Sequence, residues 1–226
     1  STSLCMECHD ENELFPEGTH PTITDLDCVD CHNPHGSNDA SLLSEKSVGL
    51  CLECHDEVED QLNMPSHHQP ATDDCLKCHN AHGKSENMLL SQETEILCIS
   101  CHDSSNHITD SHNIHPPYDE GECLTCHSPH GSRFDSLMRT DLNTLCSECH
   151  EDSGKWLLQT STHTPVKIGR CIKCHEPHFS DKDYLLKDNQ DDLCIRCHES
   201  TIENSSLKIP HEPFADGECS SCHGIH

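Results

Sequence analysis

The sequence predicts mostly coil and turn with short α-helices and little or no β-structure. It predicts an elongated array of five tandem repeats around a core that polypeptide does not supply. Three observations lead there. Only 32% of the 226 residues are hydrophobic and 3% aromatic, too little apolar surface to offset the entropy of ordering the chain. Twenty cysteines argue against disorder and for a chain held by disulfides, metals or cofactors. Proline and glycine punctuate every repeat (Pro16, Gly18, Pro21, Pro34 and Gly36 in the first), and no alternating pattern runs long enough for a real sheet.

Charge limits the partners. A net charge of −28 repels nucleic acid and anionic membrane, which both need Lys and Arg to neutralise phosphate. No apolar run approaches the length of a membrane span. No secretory leader is visible, and a motif opens four residues after Ser1, so the sequence reads as a mature, processed chain. Residues 1–45 hold ten acidic residues and no Lys or Arg, whereas residues 133–208 hold thirteen acidic and ten of the thirteen basic residues. The plain reading is a solvated acidic surface; the sharper one is an acidic head that meets a less acidic tail of another copy.

Every cysteine lies in a C-x-x-C pair and every pair is followed by histidine. The pairs are Cys5/Cys8, Cys28/Cys31, Cys51/Cys54, Cys75/Cys78, Cys98/Cys101, Cys123/Cys126, Cys146/Cys149, Cys171/Cys174, Cys194/Cys197 and Cys219/Cys222. Ten C-x-x-C-H motifs are the signature of covalent c-type haem attachment, two thiols adding across two vinyl groups. The adjacent histidines, His9, His32, His55, His79, His102, His127, His150, His175, His198 and His223, are then proximal iron ligands. The 19 to 21 residues between successive pairs would also suit five structural zincs, and a disulfide framework is a third option. Neither explains a histidine after the second cysteine in all ten motifs.

The motifs alternate. Odd ones follow Leu and precede an acid, as in LCLECHD; even ones end in C-H-x-x-H, as in DCLKCHNAHG. The repeat is therefore a two-haem unit of 46 to 48 residues, running 5–50, 51–97, 98–145, 146–193 and 194–226 within a single domain over 1–226. Short helices are expected around each odd motif, at Ser41–Leu50 and at Asp56–Met64. The pairs Leu42/Leu43, Leu89/Leu90, Leu137/Met138 and Leu185/Leu186 should cover haem edges.

Thirteen histidines remain. Five close the C-H-x-x-H motifs: His35, His82, His130, His178 and His226. Five sit eight residues before each even motif: His20, His67, His115, His163 and His211. Solvation does not demand such register, so these ten read as distal ligands that give bis-histidine iron at all ten haems. The four Met recur at no repeat position, which sets Met/His ligation aside. His35 is too near His32 to cross the same porphyrin, so it ligates a neighbour, the odd haem of its own unit or one in the next. Such a ligand draws two haems into a close pair. His68, His107 and His112 have no repeat-wide counterpart and are read as surface residues, with alternative ligation open. Iron with both axial positions filled has no substrate site and changes charge by one electron.

These residues resemble the multihaem c-type cytochromes with doubled C-x-x-C-H motifs, a likeness carried by Leu50–Asp56, Asp74–Gly83 and their counterparts across essentially the whole chain. The resemblance implies export to an oxidising compartment, ten haem c groups with iron, and electron transfer with redox proteins or extracellular acceptors as partners. Two subtypes are similar. Subunits of extracellular cytochrome filaments stack haems head to tail; periplasmic decahaem cytochromes feed outer-membrane conduits. Few residues lie outside the repeats, and the sequence ends on a ligand histidine, which in a filament could ligate a haem of the next subunit. The filament at the cell surface is the favoured expectation, and a periplasmic shuttle the alternative. A multihaem reductase would need one distal face open, and electron storage is a third class that sequence does not separate from conduction. Iron should approach ten per chain with no stoichiometric zinc. Elemental analysis returning five zincs per chain would defeat the haem reading.

Overall fold

The computed structural model describes residues 2–15, 20, 27–83, 88–102, 113–157, 159, 162–202, 208–209 and 211–226. His107, His112, Pro16, Gly18 and Pro21 lie outside the described residues. The contacts form two compact units, one of residues 1–103 with 122–139 and one of 104–121 with 140–226.

Each C-x-x-C-H motif is one helical turn. The histidine N–H donates to the carbonyl of the first cysteine in the motif, at 2.9 Å from His32 to Cys28 and 3.1 Å from His55 to Cys51, with the same bond in seven other motifs. The tenth, Cys194–His198, lies inside the helix Gln190–Ile202. One turn places two thiols and an imidazole on one side of the backbone. Odd motifs sit at the ends of helices that start a turn earlier: Ser47–Leu52, Thr94–Ile99 and Leu142–Ser147. A further helix spans Asp56–Leu62. Even motifs lie on single turns such as Cys28–Cys31 and Cys75–Lys77. Helices this short are not stable alone, because nucleation costs more than a turn or two returns.

After the first four even motifs the chain loops back on itself. Asn33 N–H donates to Leu42 O at 2.7 Å, and Ser44 N–H to Cys31 O at 2.8 Å. The same pair of bonds closes the loop after Cys78, Cys126 and Cys174, with isolated bridges His32–Leu43, His79–Leu90, His127–Met138 and His175–Leu186. Two consecutive non-glycine residues at the far end of each loop take positive φ: Ser41/Leu42, Met88/Leu89, Ser136/Leu137 and Tyr184/Leu185, at 50° to 58°. Left-handed backbone costs an L-residue roughly 1–2 kcal/mol, so four recurrences require a compensating contact.

Little β-structure forms, as the sequence predicts, but two minimal antiparallel pairs recur in register. In the first unit β1 (Ser66–His67) pairs with β3 (Gly131–Ser132), Ser66 opposite Ser132. In the second β2 (Asn113–Ile114) pairs with β4 (Phe179–Ser180), Asn113 opposite Ser180. Ser132 and Ser180 are buried, and each hydroxyl donates to a carbonyl of its own loop, Met138 O and Leu186 O.

Among the described residues no hydrophobic side chain is fully buried. Leu42, Met88, Ile96 and Ile99 are exposed, as expected of side chains that cover a cofactor rather than each other. No helix among the described residues is long and apolar enough to cross a membrane.

Gly131 marks the tightest approach. A Cβ there would meet the backbone carbonyl of Gln61 well inside contact distance, whereas one at Gly224 would meet nothing within 4 Å. Gly131→Ala should push β3 off β1 and cost the holoprotein about 1–3 kcal/mol, with Gly224→Ala as a neutral control. Equal denaturation midpoints for the two variants would contradict this packing.

Candidate haem-binding sites

None of the twenty cysteines is paired in a disulfide, and none is fully buried. The second thiols of the odd motifs and of the last even one, Cys8, Cys54, Cys101, Cys149, Cys197 and Cys222, are exposed, and the other fourteen are half-buried. Polypeptide therefore does not enclose these attachment positions as it would a structural cysteine. Cys149 and its five counterparts lie open on one side of their turns, where a thiol must be accessible to join a vinyl group.

The cysteines approach one another in alternation. The first cysteines of an odd motif and the next even one meet: Cys51 and Cys75 hydrogen-bond, as do Cys146 and Cys171. That contact lowers Cys75 to about 7 and Cys171 to about 6. Burial raises Cys98 to about 11, with Cys123 beside it contributing next, and burial followed by Cys219 raises Cys194. The second cysteines of an even motif and the next odd one also feel each other. Burial and then Cys101 raise Cys78; burial and then Cys197 raise Cys174; burial, Asp30 and then Cys54 raise Cys31. From the second motif to the sixth, and from the seventh to the tenth, consecutive attachment sites are therefore neighbours in space.

Seven pairs of histidine rings face each other at one spacing. The centroids are 5.9 Å apart for His20–His55, 6.0 Å for His32–His82, 5.9 Å for His68–His102 and 6.0 Å for His79–His130. In the second unit they are 6.1 Å for His115–His150, 6.0 Å for His163–His198 and 5.8 Å for His175–His226. Two imidazoles on opposite sides of one metal need two bonds of about 2 Å plus a ring radius at each end, about 6 Å in all. Seven pairs within 0.3 Å of one another fit that requirement, and every pair includes the histidine of a C-x-x-C-H motif. Among the described residues no group of three or more His, Cys, Asp or Glu forms; the histidines converge in twos, where structural zinc takes four ligands.

The pairs follow two rules. An odd-motif histidine faces a residue 34 or 35 positions earlier, and an even-motif histidine faces a C-H-x-x-H residue 50 or 51 positions later. The second rule differs from the expected transfer to an odd haem: the C-H-x-x-H histidine reaches back to the even motif of the preceding unit. His226 therefore faces His175 of its own chain and is not the spare terminal ligand expected from sequence.

The expectation at His67 is corrected: the ring opposite His102 belongs to His68. His67 is exposed in β1, its Nδ1 3.3 Å from Met64 O. The cause is a deletion downstream. His115, His163 and His211 each precede a short helix and then a glycine with φ of 67° to 80°, Gly121, Gly169 or Gly217. The helix Gln69–Asp73 runs into Cys75 without that glycine, so the segment is one residue shorter and the ligand shifts by one. Counting forward gives the signal: His68, His115, His163 and His211 all lie 17 residues after the first cysteine of the preceding odd motif.

Backbone bonds link facing sites. His68 N–H donates to His130 O at 3.0 Å and His115 N–H to His178 O at 2.8 Å, so an odd-site and an even-site histidine are stitched together at each β-pair. The left-handed loop residues find their purpose here. In four of the five even motifs the histidine Nδ1 lies beside the carbonyl of the first positive-φ residue: His32 to Ser41 at 2.8 Å, His79 to Met88 at 3.0 Å, His127 to Ser136 at 3.0 Å and His175 to Tyr184 at 2.9 Å. A carbonyl only accepts, so Nδ1 carries the proton and Nε2 is left to bind metal. Sequence reasoning missed this turn because nothing in Ser, Met or Tyr announces a positive φ.

The reverse side of the later histidines is also built. His82 Nδ1–H donates to Leu14 O at 3.2 Å with Phe15 edge-on, and His130 Nδ1–H donates to Gln61 Oε1 at 3.2 Å. Tyr118 stacks on His178 at 4.8 Å and Trp156 on His226 at 4.5 Å. Burial first, and then the facing ring, hold His20, His68, His115, His130 and His226 below the usual imidazole range. A lowered pKa keeps them neutral, the form that ligates.

Motif turns that present two thiols and an imidazole, with a second imidazole about 6 Å off, define a multihaem c-type cytochrome that transfers electrons. Its ten motifs are the attachment sites of ten covalent haem c groups with their iron. The sequence model described as "Doubled CXXCH motif" matches residues 20–60, 67–107, 115–155 and 163–203, more than half of the sequence, and the chain belongs to that family. No curated protein matches the chain. Each match opens at a His–Pro segment, passes an even motif and ends after the next odd one. In that phase both histidines of an odd site fall in one repeat, and the even site borrows from the repeat that follows.

Replacing His68 by Ala should open one haem, seen as a high-spin ferric signal from about one iron in ten, while His67→Ala should leave the spectrum low-spin. The reverse result would restore the eight-residue register.

Proposed function

We propose that the seven facing pairs are axial ligand pairs and that the protein conducts electrons over distance as a subunit of an extracellular filament. The observation that carries this is the constant 5.8 to 6.1 Å between rings. A c-type haem, when bound, supplies a one-electron couple. The chain's residues do the rest. Two histidines close both faces of the iron, which leaves no place for a substrate and speaks against a reductase. The Ser41, Met88, Ser136 and Tyr184 carbonyls fix the tautomer of their histidines and raise ligand basicity, which favours ferric iron and a low potential. The alternating thiol contacts and the His68–His130 and His115–His178 bonds keep consecutive sites close, as a relay of single-electron steps needs.

The relay has a repeat's periodicity, and a relay of that kind extends by adding copies. That supports the filament over a monomeric periplasmic shuttle, and a site of action outside the cytoplasm, where C-x-x-C-H cysteines are joined to haem. Native protein imaged by cryo-electron microscopy should show long filaments with an unbroken haem chain, and ferric spectra should be low-spin throughout. Discrete monomers that exchange electrons with soluble partners would favour the shuttle instead. A reducible small substrate turned over at a high-spin haem would favour a reductase.

A further inference from the structure

We infer that Lys167, Arg170 and Lys173, with Ile168 between them, form the docking site for an acidic redox protein, and that electrons enter or leave the chain at the attachment site of Cys171 and Cys174. The inference rests on electron transfer by this chain and not on its assembly into filaments.

A reversal of charge at one turn carries it. The residue directly before the first cysteine of an even motif is Asp27, Asp74, Glu122 or Glu218 in four repeats and Arg170 in the other. The residue before the turn glycine is Glu120 or Asp216 in the neighbouring repeats and Ile168 here. The third repeat reads Asp119, Glu120, Gly121, Glu122, and the fourth Lys167, Ile168, Gly169, Arg170. The same four positions pass from −3 to +2 in a chain whose net charge is −28. Lys173, inside the motif, stands where the third repeat has Thr125.

The backbone does not require the change. The helices Pro116–Asp119 and Thr164–Lys167 each follow a histidine and lead to a glycine of like φ, 70° at Gly121 and 67° at Gly169. The cation also gives up a cap. Asp74 accepts from Leu76 N–H at 3.0 Å, whereas Arg170, at the same place, makes no side-chain cap bond. The residue packed against the glycine loses its charge as well: Asn143 lies beside Gly169, where Asp191 lies beside Gly217.

The three cations are exposed. Lys155, Lys182, Lys187 and Arg196 each pair with a carboxylate; among the described residues Lys167, Arg170 and Lys173 have no such partner. Ile168 is 55% exposed among them. An apolar residue ringed by unpaired charge is how a protein interface is built, with contact at the centre and orientation from the rim. A small anion would use the cations and leave Ile168 without a role. Charges beyond about 10 Å are screened at about 0.1 M salt, so an acidic partner is attracted at this turn and repelled by the carboxylates elsewhere. One electron crosses per encounter, from the donor's iron–sulfur cluster to ferric iron; no bond forms or breaks and no proton moves.

The test uses the ten-haem chain and reduced plant-type ferredoxin, an acidic one-electron donor, mixed by stopped flow from about 0.01 M to about 1 M salt. The wild-type rate should fall as salt rises, although both proteins are acidic. Lys167→Asp with Arg170→Glu, the third repeat's residues, should lower the low-salt rate about tenfold and make it rise with salt. Lys46→Glu with Arg133→Glu removes the same charge at two other exposed cations; its rate should stay within about twofold of wild type and still fall with salt. Carbodiimide should cross-link ferredoxin carboxylates to Lys167 and Lys173. Full reduction by dithionite and low-spin ferric spectra in every variant establish that the haem chain is intact. Equal rates for the two double variants, a wild-type rate that rises with salt, or cross-links confined to other lysines would overturn the docking site. Loss of self-association by mass photometry in the Lys167/Arg170 variant, with ferredoxin reduction unchanged, would give the turn to a second copy and overturn the partner assigned. Failure on any of these counts leaves the filament reading standing, since microscopy decides that separately.

Discussion

Seven histidine pairs keep one spacing, about 6 Å between ring centroids, the separation that two imidazoles bound on opposite sides of one metal would need. No hydrophobic side chain among the described residues is fully buried, so apolar packing of polypeptide does not decide where the backbone goes. The pairing of histidines 34 to 51 residues apart does. On the proposed ligation, a coordinate bond would replace the tertiary contact that a buried leucine makes elsewhere, and the porphyrins would take the place of the core. Binding of the cofactor and folding are then one process, as in small metal domains.

The constraint explains backbone features that would otherwise be defects. Eight non-glycine residues at positive φ among the described residues are a large strain. They recur at the same place because the carbonyl at each turn holds the Nδ1 proton of an even-motif histidine. The cost of about 1–2 kcal/mol per residue is offset by an imidazole fixed in the tautomer that ligates. Three of the seven aromatic residues are placed with the same economy: Phe15, Tyr118 and Trp156 each lie against the back of a C-H-x-x-H histidine. Stacked rings limit rotation, so a later ligand arrives already oriented.

The attachment sites were fully legible in the sequence, because covalent chemistry fixes C-x-x-C-H without help from the fold. The fold class was legible too, since composition excludes a polypeptide core and proline and glycine exclude long elements. On the proposed ligation, the choice of ring opposite each motif histidine was legible to within one residue at His102. Counting backward from the cysteine selects His67; counting forward from the preceding odd motif selects His68, and the missing glycine before Cys75 decides between them. Which site each C-H-x-x-H histidine serves was not legible, because nothing local distinguishes a reach forward from a reach back. The uneven cover of the thiols, with Cys149 exposed and Cys146 half-buried in one motif, was equally hidden, since it depends on which neighbouring motif folds against each turn. The left-handed turns were invisible for a different reason: Ser41, Met88, Ser136 and Tyr184 share a backbone state and no side-chain chemistry.

The two pairing rules have unequal consequences. An odd site finds both histidines within one family repeat, as His20 and His55 do within residues 20–60. An even site never does: His32 depends on His82, and His79 on His130. Each repeat is thus finished by the one after it, which is the nearest-neighbour logic of a linear array. Such an array has no internal reason to stop.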